Sequence, residues 1–198
     1  NGEKNENYIS EIQHVRRRET IAMTPANSFK ALKSLVKEST NAVISNLDAN
    51  KKSVKDTIKE ITESPTSALV ASSGLSIQYA ILMGLIHDAA ENHSDKAIKI
   101  VVPPNCYGGT NDQARRVAEC IDNVEVVDLP VDGDNDMVQS IEQVLTKIAN
   151  EDAIPYIIAE IPTNPRVEVP NLLQLKDALS KERKTASGKV AIDPVFIL

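Results

Sequence analysis

Four short segments hold the side chains that could do chemistry. The first, residues 71–76, reads Ala-Ser-Ser-Gly-Leu-Ser and passes directly into an apolar helical pattern. Such a junction directs unpaired backbone N–H groups and the positive end of a helix at one point, and Gly74 lets a phosphate approach closely. The segment therefore indicates an anion site. The alternative is that serine and glycine serve here only as cap and turn residues.

A second segment, residues 103–110, places an aromatic side chain beside paired glycines. It reads Pro-Pro-Asn-Cys-Tyr-Gly-Gly-Thr and follows a β-branched run. Ligands of open α/β sheets bind at the carboxyl ends of the strands, so we expect Tyr107 to lay its ring against a planar ligand. The alternative is that this tyrosine only anchors a loop.

The third and fourth segments supply an amide and a carboxylate. Residues 160–165 read Glu-Ile-Pro-Thr-Asn-Pro, in which Asn164 offers a donor and an acceptor to a phenolic oxygen of a ligand. Asp193 ends an apolar run, where a buried carboxylate requires a cationic or hydrogen-bonding partner such as a protonated pyridine nitrogen. The alternatives are an Asn-Pro turn for the first, and an exposed or turn-capping aspartate for the second.

The elements that must position these segments alternate from Ser67 onward, as is typical of βαβ units and a largely parallel sheet. Continuous hydrophobicity predicts strands buried on both faces at residues 67–71, 98–102, 124–128, 155–160 and 189–193. Apolar periodicity predicts helices at residues 27–38, 51–63, 74–90, 111–121, 138–148 and 172–179.

Two further expectations concern these helices. The helix over residues 74–90 is apolar nearly all round, so we expect it to be the most deeply buried. Asp134 or Asn135, and later Asn171, are the expected N-caps. We predict an N-terminal arm and helix over residues 1–50, and part of an α/β domain over residues 51–198.

Composition excludes several classes of protein. The 198 residues suffice for one domain with a sizeable core, and 41% hydrophobic content argues against wholesale disorder. A net charge of −6 disfavours nucleic acid and anionic membranes as partners, and the longest apolar-rich stretch, residues 75–86, is too short to span a bilayer. Two cysteines support neither a disulfide framework nor a four-cysteine zinc site, and the histidines have no metal-ligand spacing. We expect a cytoplasmic protein without a metal.

In their order and spacing, the four segments resemble the Cys/Met-metabolism family of pyridoxal-phosphate (PLP) enzymes. This family contains cystathionine γ-synthase, cystathionine lyases, methionine γ-lyase and the O-acylhomoserine sulfhydrylases. Its pattern runs Ser-Ser-Gly-Met, Tyr-Gly-Gly-Thr, Glu-Thr-Pro-Thr-Asn-Pro and Asp-Asn-Thr-Phe. The corresponding segments here begin at Ser72, Tyr107, Glu160 and Asp193, and the likeness covers about the last two thirds of the chain.

The resemblance implies a fold type I large domain, an α/β PLP-dependent transferase-like fold that is truncated in this chain. It also implies a role for each matched residue. Ser73, Gly74 and Leu75 would hold the PLP phosphate, the last two through backbone amides. Tyr107 would stack on the ring as the catalytic aromatic residue, with Asn164 on the phenolic oxygen and Asp193 on the ring nitrogen. The substrate would be an amino acid, and the intact protein a homodimer or homotetramer.

The departures from the family pattern are equally specific. The family's Tyr-x-Arg, through which one subunit reaches its neighbour's phosphate, aligns with Ser45-Asn46-Leu47. Pro194 and Val195 replace Asn-Thr, and Leu75 replaces methionine. The family's cofactor-binding lysine, in a Ser-x-Thr-Lys context beyond the aspartate, is not in this sequence, nor is the following domain with its substrate-binding arginine. We expect that the chain is cut inside a domain and is inactive alone.

Three functions follow from these patterns. The first is a PLP-dependent C–S lyase or γ-synthase in trans-sulfuration, acting by β- or γ-elimination or γ-replacement on cystathionine or homoserine esters. The second is a catalytically incompetent homologue that acts by pairing with a complete subunit, which the missing Tyr-x-Arg and Asn-Thr elements favour. The third is another doubly wound α/β protein that binds a nucleotide, which the lack of a G-x-G-x-x-G or Walker-type loop disfavours.

Overall fold

The structure, a computed structural model, describes residues 25–38, 46–104, 106–131, 136–163 and 167–198. The chain forms two compact units, Asn1–Val70 and Ala71–Leu198. The predicted boundary at residue 50 lies inside a helix of the first unit. Among the described residues, no helix is both long enough and apolar enough to cross a membrane.

The first unit contains two helices among its described residues, and both were predicted. Helix α1 spans Pro25–Leu35 and helix α2 spans Leu47–Thr62. Proline suits the first helical position because its missing N–H has no intrahelical acceptor there. Neither helix has a buried residue, and apolar side chains such as Phe29 and Leu35 are exposed.

The second unit is an α/β structure in which helices flank a four-stranded parallel sheet, as predicted. The sheet order is β2-β1-β3-β4, and every neighbouring pair is parallel. Its elements are α3 (Gly74–Asn92), β1 (Ile98–Val102), α4 (Gly108–Cys120), β2 (Val124–Asp128), α5 (Met137–Asn150), β3 (Ile154–Ile158), α6 (Leu172–Ser180) and β4 (Val195–Ile197).

The prediction of a first strand at residues 67–71 is wrong. The structure describes these residues as irregular, and Leu69 and Val70 are exposed. An apolar run becomes a strand only where a neighbouring strand accepts its backbone hydrogen bonds. The sheet therefore begins with β1 rather than before α3.

The last strand lies further along the chain than predicted. Residues 189–193 do not form a strand, and β4 instead pairs Val195 with Tyr156 and Ile197 with Ile158. Because β4 runs parallel to β3, the residues that precede it lie at the amino edge of the sheet. Asp193 is therefore placed at that edge and not at the carboxyl edge.

Two hydrophobic cores form because successive strand residues point to opposite faces of the sheet. On one face Ile100 and Tyr156 pack with Leu82 of α3, and the Tyr156 hydroxyl donates to the Leu85 carbonyl at 2.9 Å. On the other face Ile157 packs in a cluster with Ile141 of α5. The sheet is thus covered by helices on both sides.

Helix α3 is not the most deeply buried helix, which corrects the sequence prediction. Only Leu82, Ile86 and Ala89 are buried in it, whereas α5 buries six residues. A helix that packs on one face of a sheet covers only the stripe that touches the sheet, whatever lies on its other sides. Tyr79 of α3 is exposed as a result.

Helix capping follows the predicted chemistry with one change of residue. The Asn171 side chain accepts from Gln174 N at the start of α6, as expected. Helix α5 is capped by Asp136, whose Oδ1 accepts from Val138 N and Gln139 N. The predicted caps Asp134 and Asn135 lie outside the described residues.

A buried lysine ties three elements together near the amino edge of the sheet. Lys99 of β1 is only 8% exposed, and its Nζ lies 2.6 Å from Glu125 Oε2 and 3.1 Å from Glu151 Oε2. Burial opposes the charged form of Lys99, but its hydrogen bonds to the two carboxylates outweigh burial and raise its pKa. The hydrogen bond from Lys99 lowers the pKa of Glu125.

These two pKa shifts predict that the difference in stability between wild type and Lys99→Met depends on pH. The raised Lys99 pKa stabilises the fold fully below the unfolded lysine value of about 10.4, and this contribution is lost as pH rises through the folded pKa. The lowered Glu125 pKa stabilises above the unfolded value of about 4.3, and this is lost as pH falls through the folded pKa. We therefore expect the urea midpoints of wild type and Lys99→Met to converge at both extremes. A difference that stays constant with pH would contradict the assignment.

Candidate functional site

The amino end of helix α3 lies beside the carboxyl edge of the sheet and is capped by serine. Ser73 has an extended backbone, and its Oγ accepts from Ser76 N at 3.1 Å. The Ser73 and Ser76 hydroxyls also lie 2.9 Å apart. The geometry of any helix leaves its first N–H groups, here those of Gly74 and Leu75, without intrahelical acceptors. This end of α3 can therefore donate to an anion.

Tyr107 meets the α3 terminus at the start of α4. The tyrosine is the N-cap residue of α4 and is 54% exposed. A Cβ added to Gly109 would lie 2.6 Å from Tyr107 Cε1 and 3.0 Å from Leu75 Cδ1. The tyrosine ring and the leucine side chain therefore both crowd against Gly109. The structure thus brings the first two predicted segments together.

Two glutamine side chains hold α3 and α4 side by side. Gln113 Nε2 donates to the Leu75 carbonyl at 2.9 Å, and Gln78 Nε2 lies 3.5 Å from the Thr110 carbonyl. Sequence reasoning missed both residues, because a glutamine on a helix carries no signal of which neighbour it will reach. Gln113 Oε1 is buried and has no hydrogen-bond partner among the described residues.

Glu160, two residues beyond β3, completes the cluster. Its Oε1 accepts from Tyr107 N at 3.0 Å and lies 3.5 Å from Thr110 Oγ1. Glu160 belongs to the third segment, but no role was predicted for it from the sequence. Segments that begin at Ser72, Tyr107 and Glu160 therefore share one region of the carboxyl edge.

The loop after Glu160 is closed by a buried threonine. Thr163 N donates to the Glu168 carbonyl at 3.0 Å, and Glu168 N donates to Thr163 Oγ1, also at 3.0 Å. Val167 has a positive φ of 58°, a strained conformation for a β-branched residue. Asn164, the predicted partner of a phenolic oxygen, lies outside the described residues.

Asp193 does not join this cluster. It is exposed, and it lines a small cavity of about 10 Å³ with Ala153 and Pro155 at the amino edge of the sheet. The predicted burial of this carboxylate at a strand end is wrong, and the alternative of an aspartate exposed at a strand end is right in the exposure but not in the place. The physical reason is the register of β4, which leaves Asp193 before the strand rather than at its end.

The pKa of the Cys106 thiol responds to the charge of this region, because Cys106 precedes Tyr107 in the chain. Burial raises the pKa of its thiol, and the Glu160 carboxylate raises it further. The second cysteine, Cys120, is exposed at the far end of α4. The two thiols therefore differ in both access and local charge.

We expect neutralisation of Glu160 to make the Cys106 thiol more reactive. In a Cys120→Ser background, Glu160→Gln should shift the pH dependence of alkylation by iodoacetamide to lower pH, because the thiolate loses a repelling neighbour. Glu119→Gln, at an exposed position of α4, serves as the control and should leave the pH dependence of alkylation unchanged. Identical profiles for Glu160→Gln and wild type would show that the carboxylate does not act on Cys106.

The carboxyl edge can thus offer backbone donors to an anion and an aromatic face to a planar group. Across the described ranges, histidine, cysteine and carboxylate side chains form no group of three that could hold a metal ion. No protein-family model matches this chain, and no curated protein matches it.

Proposed function

We propose that this chain supplies part of the cofactor-binding domain of a fold type I PLP enzyme that acts on amino acids of sulfur metabolism. The reaction would be β- or γ-elimination, or γ-replacement, on cystathionine or homoserine esters. One observation carries the proposal. The amino end of α3 and the Tyr107 ring meet at the carboxyl edge of a parallel sheet, through Leu75 and Gly109.

The α3 terminus suits a phosphate group. Gly74 and Leu75 carry the free first-turn N–H groups, and nothing lies within 4 Å of the position of a Cβ on Gly74, so a ligand can approach the backbone. Ser73 is already engaged with Ser76 and keeps the helix end in shape. The donor set thus matches the chemistry of a phosphate monoester.

Tyr107 suits the aromatic ring of the cofactor. Its side chain is half exposed, so one side of the ring is open to a planar ligand. When bound, the pyridine ring of PLP supplies an electron sink for bonds broken at the substrate. The tyrosine would hold that ring in place and exclude water from one of its faces.

Asp193, the predicted partner of the ring nitrogen, lies at the other edge of the sheet and does not face Tyr107 or the α3 terminus. That disagreement favours the second candidate, a catalytically incompetent homologue that pairs with a complete subunit. Both candidates share the phosphate and ring contacts, and they differ in whether the bound cofactor is activated. The proposal includes assembly of the intact protein as a homodimer or homotetramer in the cytoplasm.

A binding test must avoid the reaction of PLP with surface lysines. Pyridoxamine 5′-phosphate has no aldehyde and cannot form such adducts, so its binding to the 198-residue chain is measured by calorimetry. Pyridoxamine, which lacks the phosphate, is the matched ligand. We expect the phosphorylated compound to bind and the other to bind far more weakly.

A matched pair of variants at Gly74 tests the phosphate contact. Gly74→Pro removes one N–H at the first helical position, where proline is tolerated, and the extended backbone of Ser73 suits a following proline. A hydrogen bond to a charged group contributes about 1.5 kcal/mol or more, so we expect roughly tenfold weaker binding. Gly74→Ala adds a Cβ as proline does but keeps the N–H, so it is the matched control and should bind about tenfold more tightly than Gly74→Pro.

The proposal would be contradicted if pyridoxamine 5′-phosphate and pyridoxamine bound with equal affinity. It would also be contradicted if the proline and alanine variants bound the phosphate ligand equally, because the Gly74 N–H would then not contact the phosphate. If binding is found, the absorbance of the full-length protein with PLP, before and after borohydride, separates the two candidates. Cofactor trapped covalently supports the enzyme, and cofactor that remains removable supports the partner subunit.

A further inference from the structure

The start of helix α4 lacks the cap that helices of this kind usually carry. Tyr107 occupies the N-cap position and has no side-chain oxygen within reach of the first turn, so its side chain makes no capping bond. The Tyr107 carbonyl accepts from Thr110 N at 2.9 Å. This bond satisfies the carbonyl of Tyr107 but not its N–H. The donors at the start of the helix need an acceptor from elsewhere.

Glu160 provides that acceptor from a distant part of the chain. Its Oε1 lies 3.0 Å from Tyr107 N and 3.5 Å from Thr110 Oγ1, across a separation of 53 residues from the tyrosine. A carboxylate at this position also meets the positive end of α4, which strengthens the bond. Glu160 therefore fastens the end of β3 to the residue that begins α4.

The aromatic ring depends on this fastening for its position. Among the described residues, the Tyr107 hydroxyl makes no hydrogen bond, and the ring is oriented by its backbone and by contact with Gly109, against which Leu75 also packs. Gly109 and Leu75 limit the ring on one side. The backbone at Tyr107 decides where the ring stands above them.

We infer that Glu160 is a positioning residue, which holds the Tyr107 ring in the plane that a planar ligand requires. The inference rests on the proposed function for the identity of that ligand. Its geometric part, the control of the ring by the carboxylate, stands apart from any cofactor. The two parts can therefore be tested separately.

The geometric part is tested by fluorine NMR of the 198-residue chain labelled with 3-fluorotyrosine. The chain has four tyrosines, and the Tyr107 resonance is assigned by its absence in Tyr107→Phe. We expect Glu160→Ala to shift and broaden the Tyr107 resonance while that of buried Tyr156 stays in place. Glu160→Gln keeps an acceptor oxygen and should give an intermediate result, and Glu119→Ala is the exposed control.

The ligand part is tested with the same variants and pyridoxamine 5′-phosphate. We expect Glu160→Ala to weaken binding about tenfold, with Glu160→Gln between it and wild type. Thermal unfolding of each variant checks that the fold is retained, and Thr110→Val offers a milder removal of one Glu160 contact if Glu160→Ala does not fold. An unchanged Tyr107 resonance in the folded variants would overturn the inference.

A moved resonance with unchanged affinity would also overturn it, because the ring position would then not serve the ligand. Failure of wild type to bind the phosphate ligand is a different result. It would remove the proposed function, while the NMR comparison would still decide whether Glu160 controls the ring.

Discussion

Replacing Gly109 by alanine is expected to weaken binding of pyridoxamine 5′-phosphate by about tenfold or more, without unfolding the chain. The new Cβ would stand 2.6 Å from Tyr107 Cε1, so the ring must move, and 3.0 Å from Leu75 Cδ1, which is a tight contact. The tyrosine ring is half exposed and can swing away, so the fold survives and the stacking face is lost. Calorimetry and thermal unfolding together measure the two effects.

Stability should change much less than binding. Gly109 is the second residue of α4, and alanine is a better helix former than glycine, which offsets part of the cost of moving the Tyr107 ring. Gly109→Ala is therefore not expected to lower the melting temperature sharply. Gly84→Ala in α3 is the matched control, because a Cβ there meets nothing within 4 Å. It should raise stability and leave affinity unchanged. If Gly109→Ala bound the ligand as wild type does, the Tyr107 ring would not be part of the ligand site.

The largest effect on stability is expected from Ile157→Ala. Ile157 lies on β3 with a fully buried side chain in the core beneath α5 and α6. Removing the side chain loses its transfer free energy and leaves a cavity that close-packed neighbours fill only in part. We expect the free energy of unfolding in urea to fall by about 2–5 kcal/mol.

Val195→Ala is the control for that substitution, because it removes a similar side chain from the neighbouring strand. Val195 is 38% exposed on β4, so its loss should cost about 1 kcal/mol or less. Equal losses in the two variants would contradict the layered core. Such a result would mean that Val195 on β4 is packed as tightly as Ile157 in the centre of the sheet.

The alternation of helices and strands could be predicted because it depends on local patterns. The runs at residues 98–102 and 124–128 are short and rich in β-branched residues, and both strands have the predicted bounds. The run at residues 67–71 is also short and mostly apolar, yet it forms no strand. Composition reports that a segment is apolar, but not that a partner strand lies beside it.

Half of the candidate site was likewise visible in the sequence. Serine and glycine before an apolar helix indicated the α3 terminus, and an aromatic residue after a strand indicated Tyr107. The residues that join these parts, Gln78, Gln113 and Glu160, had no such signal. Their roles depend on atoms contributed by distant segments, and a polar side chain does not reveal its partner.

The sequence by itself determined the α/β class, the helices and the residues offered at the carboxyl edge. Only the tertiary structure decided that Glu160 holds Tyr107 and that Asp193 lies at the opposite edge. The apolar run from Val190 to Leu198 can pair with β3 in more than one register, and local hydrophobicity is similar in each. The choice was made by the pairing of Tyr156 with Val195, a contact between segments that are far apart in the chain.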